Sequence, residues 1–172
     1  AGNKAVLKAS PMELYSERVN TIRWFETFFP QDFDLFGVGW DVAAARPGLF
    51  GRIIRKLQRQ LPVTSKKIFF PSYGGTVEDK VETLKKYRFS ICYENVKDLP
   101  GYITEKIFDS FFAGCIPVYW GASNITEYIP ENCFIDRRKF STHEALYQFL
   151  STMTETEFIS YQNRIANFLK SD

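Results

Sequence analysis

The sequence is short of the residues that build metal and disulfide frameworks. Its 172 residues hold one histidine and three cysteines. Cys92, Cys115 and Cys133 form no C-x-x-C pair, and each has an apolar residue directly after it, so they read as small buried hydrophobes. Their odd number suits a reducing compartment. No apolar run reaches the length of a membrane span, and no signal peptide opens the chain. Ala1 in place of Met suggests a processed or engineered start. The formal net charge is only +2, which speaks against a general nucleic-acid binder. No acidic residue stands between Asp41 and Glu78.

What is abundant is apolar and aromatic: 45% hydrophobic residues, 17% aromatic, 17 of them Phe. That composition belongs to a well-packed domain, and the length fits one such domain. The pattern alternates strands with helices. Ala5–Leu7 reads as a strand. Ser10-Pro11-Met12-Glu13 reads as a capping box opening a helix that Pro30 stops, with Tyr15, Val19, Ile22, Phe25 and Phe29 facing the core. Strands are expected at Phe33–Phe36, Lys67–Phe70, Phe89–Tyr93, Ile116–Trp120 and Cys133–Ile135. Helices are expected at Val77–Tyr87 and Thr104–Ala113. Ile107, Phe108, Phe111 and Phe112 form the apolar side of the latter, and Gly114 closes it. Ser141–Glu144 and Thr154–Glu157 read as capping boxes for two final helices. Their apolar faces are Leu146, Phe149 and Leu150, then Phe158, Tyr161, Ile165 and Phe168. Residues 42–66 read as an insertion carrying a basic amphipathic helix near 49–61, either packed on its own domain or offered to a membrane surface or acidic partner.

This order predicts an α/β fold, a Rossmann-like parallel sheet with helices on both faces. Ligands of such sheets sit beyond the carboxyl ends of the strands. Three places follow: the loop after Leu7, the turn at Gly37-Val38-Gly39, and the loop after Tyr93. The last is the densest in polar groups: Glu94, Asn95, Tyr102, Thr104, Glu105 and Lys106. A helix start there presents free N–H groups to an anion, Lys106 adds a cation, and a carboxylate at Glu105 suits sugar hydroxyls. Tyr102 offers a ring face and a hydroxyl. Together they suit a nucleoside diphosphate sugar, although Glu105 and Lys106 also serve as ordinary first-turn surface residues. Arg18 is a second phosphate candidate, or one half of a surface pair. His143 reads as a capping-region surface residue, and Trp120 as pocket wall or core. Asn124-Ile-Thr126 fits a glycosylation acceptor, a triplet common by chance.

The stretches Tyr87–Asn95, Gly101-Tyr-Ile-Thr-Glu-Lys-Ile-Phe108 and Gly114-Cys-Ile-Pro-Val-Tyr-Trp-Gly121 closely resemble the donor-binding domain of the α-1,3/4-fucosyltransferases. Leu14-Tyr-Ser-Glu-Arg18 resembles that family's arginine-bearing helix. The likeness covers most of the chain and is weakest over 42–66. It implies one lobe of a two-lobed GT-B glycosyltransferase that binds GDP-fucose and inverts the anomeric carbon during transfer to a glycan hydroxyl. It implies Arg18 and Lys106 on the diphosphate, with Asn95 adding a polar contact. Glu105 would meet ribose or fucose hydroxyls and Tyr102 would line the pocket. Glu94 and Thr104 join the donor-binding set. Apart from the resemblance, the turn at Gly37-Val38-Gly39 reads either as an approach to the guanine base or as an ordinary tight turn. No metal and no cofactor are implied. The acceptor lobe with its general base would precede this domain, so residues 1–172 alone are expected to bind donor and transfer weakly or not at all. Cys-Tyr-Glu-Asn and Tyr-Trp-Gly-Ala look bacterial. They point to lipopolysaccharide or capsule acceptors and to the cytoplasm or its inner-membrane face, with the Golgi lumen as the eukaryotic alternative. Other readings are a transferase for another nucleotide sugar, a non-catalytic nucleotide-binding module, and a membrane-surface module.

Overall fold

Strands β3 (Phe89–Tyr93) and β4 (Ile116–Trp120) run parallel and in register, Phe89 opposite Ile116 through Tyr93 opposite Trp120. Strand β5 (Ile135–Asp136) joins the far side of β4 at Val118 and Tyr119. The computed structural model describes residues 10–41, 53 and 70–171. The expected strand at 5–7 and the amphipathic helix near 49–61 lie outside them, Ile53 apart. The described chain falls into two units, one of residues 1–11 and 15–78, the other of 12–14 and 79–172.

The second unit shows how alternation builds a two-faced sheet. Along β3 and β4 the side chains of Phe89, Ile91, Tyr93, Ile116, Val118 and Trp120 join one apolar cluster, with Leu146 and Leu150 of helix α4 (His143–Thr152) and Phe158 of helix α5 (Glu155–Phe168). Cys92 and Tyr119, on the alternate positions, point to the other face. There they meet Ile107 and Phe111 of helix α3 (Glu105–Ala113) and Ile165 of α5. The α/β fold with a parallel sheet covered by helices on both faces is therefore observed. Pro117 stands in the middle strand opposite Ser90. The Ile116 amide donates to Arg88 on the β3 side, so the next backbone position turns toward β5, which pairs with β4 only from Val118 onward. The missing proline N–H thus breaks no ladder bond.

The first unit holds helix α1 (Tyr15–Phe28) and a parallel pair, β1 (Leu35–Phe36) with β2 (Tyr73–Gly75). Ile22, Leu35, Trp40 and Phe70 form its core. Glu26 accepts from the Ser72 amide at 3.1 Å and hydroxyl at 2.8 Å, tying α1 to the approach of β2.

Several sequence expectations are corrected. Helix α1 begins at Tyr15, because residues 12–14 pair with the loop after β3: the Leu14 amide donates to Asn95, the Lys97 amide to Met12, and Glu13 bridges Val96. The buried stripe of α1 is Arg18, Thr21, Ile22 and Phe25, so Tyr15, Val19 and Phe29 are only half-buried. Phe33 and Asp34 precede β1. The strand expected at 67–70 lies outside the described residues apart from Phe70, which is core but not strand, and β2 at 73–75 is an addition to the expected set. The helix expected at 77–87 is the short α2 (Lys80–Leu84), capped by the Asp79 side chain. Strand β5 starts two residues later than expected. Thr142, not Ser141, caps α4, accepting from the Ala145 amide. Phe112 and Phe149, expected on apolar faces, are exposed. The spans of β3, β4 and α3, the left-handed Gly114 that closes α3, and the Thr154–Glu157 capping box are as expected.

Candidate functional site

The chain leaves β3 at Tyr93 and enters α3 at Glu105, and a buried carboxylate organises the loop between them. Glu94 is fully buried. Its backbone amide still follows the sheet, donating to the Trp120 carbonyl at 2.8 Å. Its carboxylate is turned inward and accepts from the Thr104 amide at 2.8 Å, the Thr104 hydroxyl at 2.7 Å and the Lys106 ammonium at 2.8 Å. A buried charge needs such a set of donors. Lys106 Nζ donates also to Thr104 Oγ1, at 2.6 Å. An ammonium has three donors, so one remains, and the Lys106 side chain keeps 26% of its exposure.

Thr104 is the N-cap of α3, yet its hydroxyl is used by Glu94 and makes no capping bond. Glu105 is largely exposed, and a hydrogen bond from its own backbone N–H holds its carboxyl below the ordinary value, with Lys106 and Lys80 adding to the effect. The loop itself is tied down. The Asp98 amide donates to the Gly121 carbonyl, the Gly101 amide to Asn124 Oδ1 at 2.8 Å, and Asn95 Nδ2 to the Tyr102 hydroxyl at 3.2 Å. Asn124, the residue of the possible glycosylation triplet, thus has its side chain engaged in this loop.

The structure therefore brings Glu94, Thr104 and Lys106 into one hydrogen-bonded group, and Asn95 and Tyr102 into a second contact beside it. Glu105 flanks the group from the surface. Arg18 belongs to the first unit, where it is buried, its guanidinium 5.3 Å from the Tyr15 ring centroid. Gly37 and Val38 belong there too. Gly37 is at φ 142° and Gly39 at φ 83°, and the Tyr73 hydroxyl donates to the Gly37 carbonyl. Val38 is exposed. Trp120 is half-buried, with the Tyr93 ring edge-on at 5.6 Å.

Two residues outside the expected set support the group. A Cβ at Gly121 would lie 2.4 Å from the Tyr119 hydroxyl and 2.5 Å from Glu94 Cγ, so only glycine lets the strand end pass this close. The Tyr119 hydroxyl accepts from the Ala122 amide, and burial pushes its pKa up to about 12. The sequence signal for Gly121 was its place directly after a strand; nothing local told that Glu94 would lie against it.

Residues 46–164 match the family described as glycosyltransferase family 10 (fucosyltransferase) C-term, more than half of the chain. The chain belongs to this family. The match begins inside the 42–66 segment. Among relatives, the alpha-(1,3)-fucosyltransferase FucT of Helicobacter pylori is 32% identical over 89 residues, covering 52% of this chain and 18% of the relative. The 4-galactosyl-N-acetylglucosaminide 3-alpha-L-fucosyltransferase 9 of Mus musculus is 34% identical over 100 residues, covering 54% and 27%. The chain thus spans well under a third of either curated relative. A crystal structure of an alpha1,3-fucosyltransferase with GDP-fucose aligns over 94% of this chain and 54% of its own, at 21% identity and a TM-score of 0.47. Among the described residues of this family 10 domain, no helix is long and apolar enough to cross a membrane.

Proposed function

We propose that this family 10 domain is the donor-binding half of an inverting fucosyltransferase, holding GDP-fucose by its diphosphate at the start of α3. The observation that carries the reading is the Lys106 ammonium. It is anchored on the buried Glu94 carboxylate and the Thr104 hydroxyl, partly exposed, with one donor to spare beside an N-cap whose side chain is engaged elsewhere. A cation fixed in advance costs little reorganisation when charge grows on a leaving group. In this reading Lys106 and Arg18 stabilise the departing GDP. Asn95 and Tyr102 line the donor pocket, Glu105 meets sugar hydroxyls, Thr104 and Glu94 hold the lysine, and the Gly37-Val38 turn approaches the base. The acceptor hydroxyl attacks fucose C1 from the face opposite GDP, and the general base comes from outside residues 1–172. No metal or cofactor is required by this scheme. The named relatives act as support: both are fucosyltransferases.

The finer assignments follow the sequence likeness. The acceptor is a glycan, of lipopolysaccharide or capsule type, and the enzyme works in the bacterial cytoplasm or at the inner-membrane face. The Cys-Tyr-Glu-Asn and Tyr-Trp-Gly-Ala strings support this reading. So do the three buried thiols, all free among the described residues.

Calorimetric titration with GDP and GDP-fucose tests the reading. The native chain should bind both, and Lys106→Ala should lose a charge-assisted contact of about 1.5–3 kcal/mol, roughly tenfold or more in affinity. Equal affinity in the two proteins would remove Lys106 from the site. GDP-mannose in competition reports the sugar preference.

A further inference from the structure

Each of the three strands of the second unit delivers one more group to the carboxyl edge of the sheet. Lys97 follows β3 by four residues, Trp120 ends β4, and Arg137 directly follows β5. The Lys97 ammonium lies 5.6 Å from the Trp120 ring centroid, and the Arg137 guanidinium lies 5.6 Å from the same centroid. Two cations therefore share one indole, at the edge where parallel α/β sheets hold ligands. Lys97 is fixed at the backbone by its amide bond to Met12.

Arg137 is only 7% exposed. A guanidinium that deep usually has a carboxylate or phosphate to face. Its one hydrogen bond among the described residues runs from Nη1 to the Phe140 carbonyl, at 2.5 Å. Its Nε is buried without an acceptor. The nearest acid in sequence, Asp136, is spent on Arg138, whose Nε and Nη2 reach both carboxylate oxygens at 2.8–3.1 Å. The charge of Asp98 also acts on Arg138. Outside the described residues the sequence offers one further acidic side chain, Asp172. The positive charge of Arg137 and Lys97 is thus left for something that is not part of this unit.

We propose that Lys97, Trp120 and Arg137 form an oxyanion subsite that takes a carboxylate or a phosphate group carried by a ligand. A planar guanidinium pairs with either group through two parallel donors, and the lysine supplies a second point charge. The subsite does not rest on the assignment of GDP-fucose to Lys106.

The test is a titration of the 15N-labelled full chain by NMR, with the Trp120 indole signal identified from W120F and the arginine Nε–H signals followed together. Inorganic phosphate and D-glucuronate are added separately at constant ionic strength, with chloride as the reference anion. The expected result is a saturable shift of the Trp120 indole and of one protected arginine Nε–H with at least one probe. Lys97→Gln, at a half-buried surface position, should weaken that binding about tenfold, one charge-assisted contact. A response to glucuronate alone identifies an acidic sugar as the ligand class, and a response to phosphate alone a phosphorylated one. Shifts no larger than those with chloride, or the same affinity in Lys97→Gln, would overturn the subsite. So would loss of the response when GDP saturates the chain, which would assign these cations to the donor site. If GDP itself fails to bind, the phosphate and glucuronate arms still decide.

Discussion

Gly121 is where close packing is tightest around the candidate site. A methyl group there would meet the Tyr119 hydroxyl and Glu94 Cγ well inside contact distance, and both neighbours are buried and hydrogen-bonded. Gly121→Ala should therefore cost about 1–3 kcal/mol, as overpacking does. Chemical unfolding measures it, and an unchanged midpoint would show that the strand end yields freely. The same residue explains why the role of Glu94 was hidden. In the sequence Glu94 is one polar residue after an apolar strand, and such residues are mostly solvated. Only the return of β4 beside β3, with a glycine at its end, encloses the carboxylate and aims Lys106.

Helix α5 has the most complete start among the described elements. Thr154 Oγ1 accepts from the Glu157 amide, and the Glu157 carboxylate accepts from the Thr154 amide and hydroxyl. These bonds hold the Glu157 pKa below its ordinary value. A lowered pKa in the folded state means stability that is present above the unfolded value and lost as pH falls through the folded one. Glu157→Gln should flatten the acid side of the stability curve, seen by urea unfolding at about pH 6 and about pH 3; an unaltered pH dependence would remove Glu157 from it. This box was legible because every part of it is local. The spans of β3, α3 and β4 were legible for a related reason: apolar runs and a terminal glycine mark them without reference to distant chain. The start of α1 was not. Ser10–Glu13 has the letters of a capping box, but Leu14 packs into the apolar cluster that holds Tyr93, and its backbone pairs with Asn95 instead of continuing a helix. Strand β2 was missed because Tyr73-Gly74-Gly75 carries the composition of a turn. Its pairing with Leu35 comes from tertiary context.

The molecule divides into two units, and the residues expected to hold the diphosphate are divided likewise, Arg18 in one and Lys106 in the other. A ligand that binds only the folded chain stabilises it by mass action. GDP at about a hundredfold above its dissociation constant should raise the unfolding free energy by about 2.7 kcal/mol. Lys106→Ala should show a much smaller rise at the same GDP concentration. Thermal unfolding with and without GDP reads both, and equal gains in the two proteins would place the nucleotide elsewhere. The likeness of Leu14–Arg18 and Tyr102–Lys106 to one family was plain in sequence. Which of those side chains face outward was not, since burial depends on how strands are stacked.

Pro117 bears on a different property. Sheets grow when a stray strand finds an open row of donors and acceptors along an edge. Beyond the two pairs made by β5, the middle strand offers such an invader a ring where a donor should be. Where the fifth strand falls short, a second copy of the chain would therefore find one donor fewer on the middle strand to zip onto.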